Sequence, residues 1–280
     1  MKRIICNVFI GLIFCFGQKG FAQLFPVMSY NIRYDNPADG ENSWDNRKAD
    51  LVAMLQQTHP YILGIQEGLF QQVQYIDKAL VQYKFIGVGR EDGKQKGEFA
   101  AIYYDTSKLE LMAGGTFWLS ASGDTASTGW DAALPRICTY GLFKMIETGK
   151  QFYVFNCHFD HIGEEARLSS AKLIKQKIDA LNITNYPVIW LGDFNCLPDS
   201  APIKYITQYY DDCRVNSKFH FDENEGTFNG FDVNAEPTKR IDYMFVKKIN
   251  IDMYIAIATK RKNGIWISDH LPIEAWIELL

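Results

Sequence analysis

The sequence is short of cysteine, of positive charge and of long apolar runs, and each shortage removes a class of protein. Six cysteines in 280 residues, with no CxxC pair, are too few for a small disulfide scaffold. The 29 lysines and arginines against 33 acidic residues argue against a non-specific clamp on long duplex DNA, which is held mainly by phosphate neutralisation. Cleavage of nucleic acid is not excluded, because a local basic patch is enough for that. Beyond the N-terminus no stretch could span a bilayer. Internal repeats, low-complexity linkers and a GxxxxGK[ST] phosphate loop are also missing. What is present, 47% hydrophobic and 14% aromatic residues, is the composition of an ordinary globular protein with a sizeable core. Loop signals are spread evenly, which points to one domain over residues 23–280.

The first 22 residues read separately. Met1-Lys2-Arg3 is a charged start, residues 4–16 are apolar, and Gly20-Phe21-Ala22 offers the small residues a signal peptidase reads. The run is too short and too early for a spanning helix, so a secretory signal cleaved after Ala22 is expected. Bulky Phe14 before Cys15 argues against a lipoprotein site. The mature chain would then be exported, periplasmic or secreted. It would lose Lys2, Arg3 and Lys19 and carry 26 basic against 33 acidic residues. Of its four cysteines, Cys157 and Cys196 lie in apolar strand-like runs, where a thiol behaves as a small hydrophobe. Four free thiols are expected at Cys138, Cys157, Cys196 and Cys213.

Apolar strand-like runs recur at 25–32, 61–66, 84–88, 99–104, 116–119, 138–146, 152–159, 188–191, 241–246, 251–258 and 271–277. Helical spacing lies between them: Leu51, Met54 and Leu55 after an N-cap at Ser43 or Asp45; Leu69, Val73, Ile76 and Leu80; and Ala166 to Leu181 after Gly163. Helices alternate with strands early, whereas the middle is too rich in strands for a crossover helix after each one. Mixed sheets follow. Many runs are apolar throughout, implying burial on both faces. Two packed sheets with helices outside satisfy that demand.

The informative feature is where the polar residues fall. Six runs end in, or lead into, an acid, amide or histidine: Ser29-Tyr30-Asn31, Gln66-Glu67, Asn156-Cys157-His158-Phe159-Asp160, Gly192-Asp193-Phe194-Asn195, Arg240-Ile241-Asp242-Tyr243 and Ser268-Asp269-His270. A charge at a strand end is ordinarily a solvated turn residue. Six such clusters become a site only if the strand ends converge.

In their order, these clusters resemble the endonuclease/exonuclease/phosphatase family, the superfamily of DNase I, over nearly the whole mature chain. The resemblance implies a four-layer α/β/β/α sandwich and a metal-dependent phosphoester hydrolase. Chemistry supports the residue types, since an anionic ester needs a nucleophile and neutralisation of developing charge. Glu67 is the best ligand for Mg²⁺ or Mn²⁺, with Asn31 and Asp269 as neighbours that ligate directly or through water. By resemblance, Asp193 orients and deprotonates the attacking water, and Asn195 holds that water or the phosphate. His270, polarised by Asp242, donates as imidazolium, and His158 binds another non-bridging oxygen.

Other residues stay open. Asp160 is a candidate substrate-binding group that could orient His158, or it could pair with Arg167 as a structural bond. Arg136 could reach the phosphate as a substrate-binding group or sit on a surface loop. Trp44, Trp118 and Trp130 could stack on a ligand or simply pack. The segment Gly89-Arg90-Glu91-Asp92-Gly93 resembles a rim loop of secreted family members. His59, His161 and His220 have no motif context and read as surface residues. No insertion with exposed aromatics suggests membrane docking, and no dense basic block suits highly phosphorylated inositols. The expectation is a phosphodiesterase of nuclease type acting on single-stranded or short nucleic acid. The alternative is a phosphatase or a phospholipase-C or sphingomyelinase-like esterase, and a non-catalytic binding module is disfavoured by the complete motif set.

Overall fold

Strict alternation along the strands builds the molecule. The computed structural model describes residues 23–221 and 226–280, so the proposed signal lies outside the described residues. In chain order the elements are β1 (Phe25–Asn31), α1 (Trp44–Thr58), β2 (Ile62–Gln66), α2 (Phe70–Ala79), β3 (Tyr83–Ile86), β4 (Ile102–Asp105), β5 (Leu109–Trp118), β6 (Ile137–Met145), β7 (Gln151–His158), α3 (Glu164–Leu181), β8 (Val188–Asp193), α4 (Ala201–Ile206), β9 (Asp211–Asp212), α5 (Cys213–Asn216), β10 (Phe219–His220), β11 (Asp242–Lys247), β12 (Ile249–Ala256) and β13 (Ile273–Leu279). One sheet has the order β10-β12-β13-β1-β2-β4-β3 and the other β5-β6-β7-β8-β11-β9. Both are mixed: β1 runs parallel to β2 and antiparallel to β13, and β7 runs parallel to β8 and antiparallel to β6.

Side chains on successive strand residues point to opposite faces, and here both faces are buried. In β1, Phe25 and Val27 enter the core between the sheets, while Met28 and Tyr30 pack with Leu51, Leu55, Val73 and Ile76 of α1 and α2. In β8, Ile189 and Leu191 face the other sheet, while Val188 and Trp190 pack with Ala171, Ile174 and Ile178 of α3. Three apolar interfaces therefore separate four layers, the α/β/β/α sandwich. Cys138, Cys157, Cys196 and Cys213 are buried and unpaired.

The two sheets come unusually close at Gly64, where an added Cβ would stand 2.2 Å from Leu191 Cδ1. Just beside it the gap is bridged by amides. Asn156 Nδ2 of β7 donates to Ile65 O and Ala101 O at 2.9 and 2.8 Å, and Gln66 Nε2 donates to Asn156 Oδ1 at 2.7 Å. Gln66 and Asn156, read from the sequence as part of the polar clusters, thus pin the sheets together beneath the site.

Some elements differ from the sequence reading. β5 begins at Leu109 instead of 116, because a register shift between Leu111 and Ala113 breaks its alternation and Gly114-Gly115 carry no strand signal. The helices α4 and α5 and the two-residue strands β9 and β10 are too short to show a period. Ser43 stands at the N-cap of α1 but makes no side-chain capping bond.

Candidate active site

The alternation that builds the core also delivers the site. Continuing the inter-sheet face of each strand past its last apolar residue reaches Asn31 on β1, His158 on β7, Asp193 on β8 and Asp242 on β11. Register aligns three of them, since Asp193 pairs with His158 on one side and Asp242 on the other. Where the sheets part, His158 and Asp193 line a cleft of about 670 Å³ with Arg33, Glu67, Glu98, Arg136, His161, Lys239, Asp269 and His270 among its walls. Asn31 and Asp242 stand behind it, bonded to Asp193 and His270 respectively. The convergence that the sequence required is therefore present.

Glu67 leaves β2 with φ of 62°, a left-handed backbone uncommon outside glycine and asparagine, which turns the carboxylate into the cleft. Its Oε2 accepts from Tyr34 N at 3.1 Å. Asn31 Nδ2 donates to Glu67 Oε1 at 3.0 Å and to Asp193 Oδ2 at 2.9 Å, while Asn31 Oδ1 accepts from Arg33 N at 3.0 Å. The amide thus shows its hydrogens, not its oxygen, to the two carboxylates, and it must turn over to serve as an oxygen ligand. Arg47 of α1, fully buried, fixes this corner by donating through Nη1 to Ile32 O and through Nη2 to Arg33 O at 2.5 and 2.6 Å.

Glu67, Asp193 and His270 place one ligand atom each within 4.8 Å of one another. Asp269 stands beside them, its Oδ2 3.7 Å from Arg33 Nη1. Burial, and then the charge on Asp242, push the Asp193 carboxyl up against the pull of His270 and His158. Burial likewise pushes Asp269 up to about 6, with Glu67 adding to it. Three carboxylates crowded until two of them resist ionisation fit a site completed by a cation that prefers hard oxygen donors, such as Mg²⁺ or Mn²⁺.

The two histidines are held in opposite states. Burial alone would depress His270, but Asp242 Oδ2 at 2.9 Å and Asp193 Oδ2 at 3.8 Å hold it well above the usual range, as imidazolium. Thr227 Oγ1 donates to the same Asp242 oxygen at 2.5 Å. Burial, reinforced by Arg136, pushes His158 down to about 3. A guanidinium only donates, so the 3.1 Å contact from Arg136 Nη1 makes His158 Nδ1 the acceptor and leaves the hydrogen on Nε2. Asn195, with φ of 48°, donates its backbone N–H to Asp193 Oδ1 at 2.9 Å and lies 3.2 Å from His158 Nε2 through Nδ2.

Arg136 is neither on the surface nor free. Its Nε donates to Asp160 Oδ2 at 3.3 Å and its Nη2 to His161 Nδ1 at 2.9 Å. Asp160, expected at the substrate, is 1% exposed and does not line the cleft. Its Oδ1 accepts from Ile162 N and Gly163 N at 2.9 and 2.8 Å, in the turn that leads into α3. It touches neither His158 nor the Arg167 guanidinium through its carboxylate, since Arg167 Nη1 reaches its carbonyl instead. It therefore acts on His158 only through Arg136. His161, which the sequence presents as a surface residue, is exposed but also lines the cleft; its place next to Asp160 is the signal for that second role. Glu98 adjoins no strand-end cluster, and Arg33, two residues past Asn31, carries no acid, amide or histidine signal of its own. Trp44 and Trp118 are packed, and Trp130 is 40% exposed. Lys239 reaches the cleft, whereas the adjacent Arg240 turns inward to a buried pair with Asp212.

Comparison with known proteins agrees with this geometry. The family model described as Endonuclease/Exonuclease/phosphatase family matches residues 28–270. A solved protein of that family from Bacteroides thetaiotaomicron is 36% identical with a TM-score of 0.87, over 92% of this chain and 98% of its own. A second structure from the same species, named mannosyl-6-phosphatase, is 37% identical with a TM-score of 0.85, over 90% of this chain and 99% of its own. Among curated proteins, the angel protein of Drosophila melanogaster is 29% identical over 173 residues, 59% of this chain and 47% of that protein. The chain spans about half the length of the curated relatives it matches.

Proposed function

The chain belongs to the endonuclease/exonuclease/phosphatase family, whose members hydrolyse phosphoesters, and from that premise we propose that it removes phosphate from a phosphomonoester of a small hydroxylated alcohol, a sugar phosphate by class. One observation carries this reading. The sequence shows no cationic cage, which favours a singly charged diester, but the fold gathers the cations Arg33, Arg136, Lys239 and His270, with neutral His158 as a further donor, around one cleft. A phosphomonoester carries one more negative charge than a diester, and such a cluster suits it. The name of the 37% identical structure, mannosyl-6-phosphatase, supports the same class.

Each residue has a task in this reading. Glu67 would hold the divalent cation together with Asp269 and a turned Asn31; when bound, that ion supplies Lewis-acid neutralisation at a phosphoryl oxygen. Asp193, buried and pushed up, is a stronger base than a free carboxylate and takes the proton of the attacking water. Asn195 fixes Asp193 through its backbone N–H. His158 donates its Nε2 hydrogen to a non-bridging oxygen as a neutral imidazole, and His270 donates as an imidazolium balanced by Asp242. The chain is proposed to act outside the cytoplasm with a mature N-terminus at Gln23.

A second reading, a phosphodiesterase acting on short or single-stranded nucleic acid, draws on exposed Lys239 at the cleft, which offers a place for a second phosphate. The two are separated by rates. With Mg²⁺ or Mn²⁺, p-nitrophenyl phosphate should be hydrolysed faster than bis-p-nitrophenyl phosphate. The reverse order would favour the phosphodiesterase.

A further inference from the structure

The segment 89–98, conspicuous in the sequence for its glycines, has no task in the hydrolysis described above. It is tightly built. Gly89 N donates to Lys94 O and Glu91 N to Lys96 O, at 3.0 and 3.1 Å, and Asp92 Oδ1 accepts from Lys94 N and Lys96 N at 2.8 and 2.9 Å. A Cβ on Gly89 would stand 2.2 Å from Lys96 O, so the two arms close only over glycine. Trp118 Nε1 anchors the loop by donating to Arg90 O at 2.7 Å, and Arg90 N donates to Glu98 O at 3.1 Å.

The outcome of this construction is one side chain, Glu98, set into the wall of the cleft. Its Oε2 accepts from Arg90 Nη1 at 2.7 Å and lies 3.6 Å from His158 Nδ1. Among the described residues its hydrogen bond runs through Oε2 alone, which leaves Oε1 for a ligand. A carboxylate beside the phosphate-binding histidine repels phosphoryl oxygens, so it is not there to bind the anion. It accepts hydrogen bonds from neutral donors, and the donors that a phosphorylated sugar brings are the hydroxyls of its alcohol half. A bond from a hydroxyl to a carboxylate is roughly twice as strong as one between neutral groups.

We propose that Glu98 is the specificity-determining residue for the leaving group, accepting a substrate hydroxyl at Oε1 while His158 holds the phosphoryl group beside it. The inference rests on the phosphomonoester reading given above. Its occupant is a polyhydroxylated alcohol, in contrast to an aryl or plain alkyl one.

The test is a selectivity ratio. kcat/KM is measured for a hexose 6-phosphate and for cyclohexylmethyl phosphate, which keeps a six-membered ring and loses every hydroxyl. The wild type should prefer the hexose ester. In Glu98→Ala the ratio of the two values should fall by roughly 10- to 100-fold, the effect of one lost bond to a charged group. In Glu98→Gln, which keeps a neutral acceptor, it should fall in the same direction but by less. Glu98→Gln keeps the shape of the side chain if the alanine variant does not fold. An unchanged ratio, whether both rates fall together or neither does, would overturn the assignment and leave Glu98 as a partner of Arg90 only. A wild type that turns over neither monoester would overturn the phosphomonoester reading itself, and this inference with it.

Discussion

Arg136 shows how one side chain sets the chemical state of its neighbours. By donating to His158 it leaves the hydrogen on Nε2, and its charge adds to burial in keeping that imidazole neutral. Asp160 in turn holds Arg136. Burial alone would raise the Asp160 carboxyl, but the N–H groups of Gly163, Ile162 and Ala133, and then Arg136, hold it well below the usual carboxylate range. A folded-state value below the unfolded one stabilises the protein above the unfolded pKa of about 4, and that stabilisation is lost as pH falls through the folded value. Asp160→Asn should therefore melt at lower temperature than wild type at pH 7, with the gap narrowing below about pH 4. Thermal scans at several pH values check this, and a gap that does not vary with pH would mean that the charge of Asp160 contributes nothing. At this scale the sequence exposes which residues are polar and near strand ends. It does not expose pairing: Asp160 lies 24 residues from Arg136 and seven from Arg167, and only folding decides that Arg136 meets its carboxylate.

The strands were the most legible elements, because burial on both faces writes a continuous apolar run into the sequence. The long helices were legible for the same reason, each burying one stripe. What escaped were features in which local pattern is cancelled. β5 loses its alternation at a bulge, and the segment 89–98 forms no regular element although it delivers Glu98. Gly64 carries a further consequence of close packing. Its missing Cβ admits Leu191 and Asn156 from the facing sheet, so Gly64→Ala should destabilise by about 1–3 kcal/mol, the usual range for overpacking. Chemical denaturation measures this directly. A loss under about 0.5 kcal/mol would show that the sheets separate easily at this point. Since Asn156 and Gln66 bridge the sheets there, the same variant should also loosen the strand ends that carry Asn31 and His158.

On the scale of the whole molecule, the cleft exists because two sheets packed face to face separate where their inward side chains change from apolar to charged. The family's order of motifs made this architecture legible from one chain, but the balance of charge at the cleft was not. Arg33, Arg136 and Lys239 are scattered over more than 200 positions, and only the fold brings them together. Export belongs to this scale too. Protein recovered from the periplasm or medium should begin at Gln23 by N-terminal sequencing, and an intact Met1 would contradict the secretory reading. Among the described residues, no helix is long and apolar enough to cross a membrane.

The central claim is a division of labour in which Glu67 holds the cation and Asp193 activates water, and metal titration of two variants tests it most directly. Phosphate release is followed against Mg²⁺ or Mn²⁺ concentration for the wild type, Glu67→Gln and Asp193→Asn. Glu67→Gln replaces an anionic ligand by a neutral amide of the same shape, so its half-saturating metal concentration should rise and high metal should restore much of its rate. Asp193→Asn removes the base, and its rate should stay roughly 10²–10⁴-fold low at saturating metal, with turnover affected far more than substrate affinity. Chelation by EDTA should silence the wild type. Full rescue of Asp193→Asn by added metal, or a Glu67→Gln variant with wild-type metal dependence, would contradict the assignment, and a wild type indifferent to EDTA would contradict the metal centre altogether.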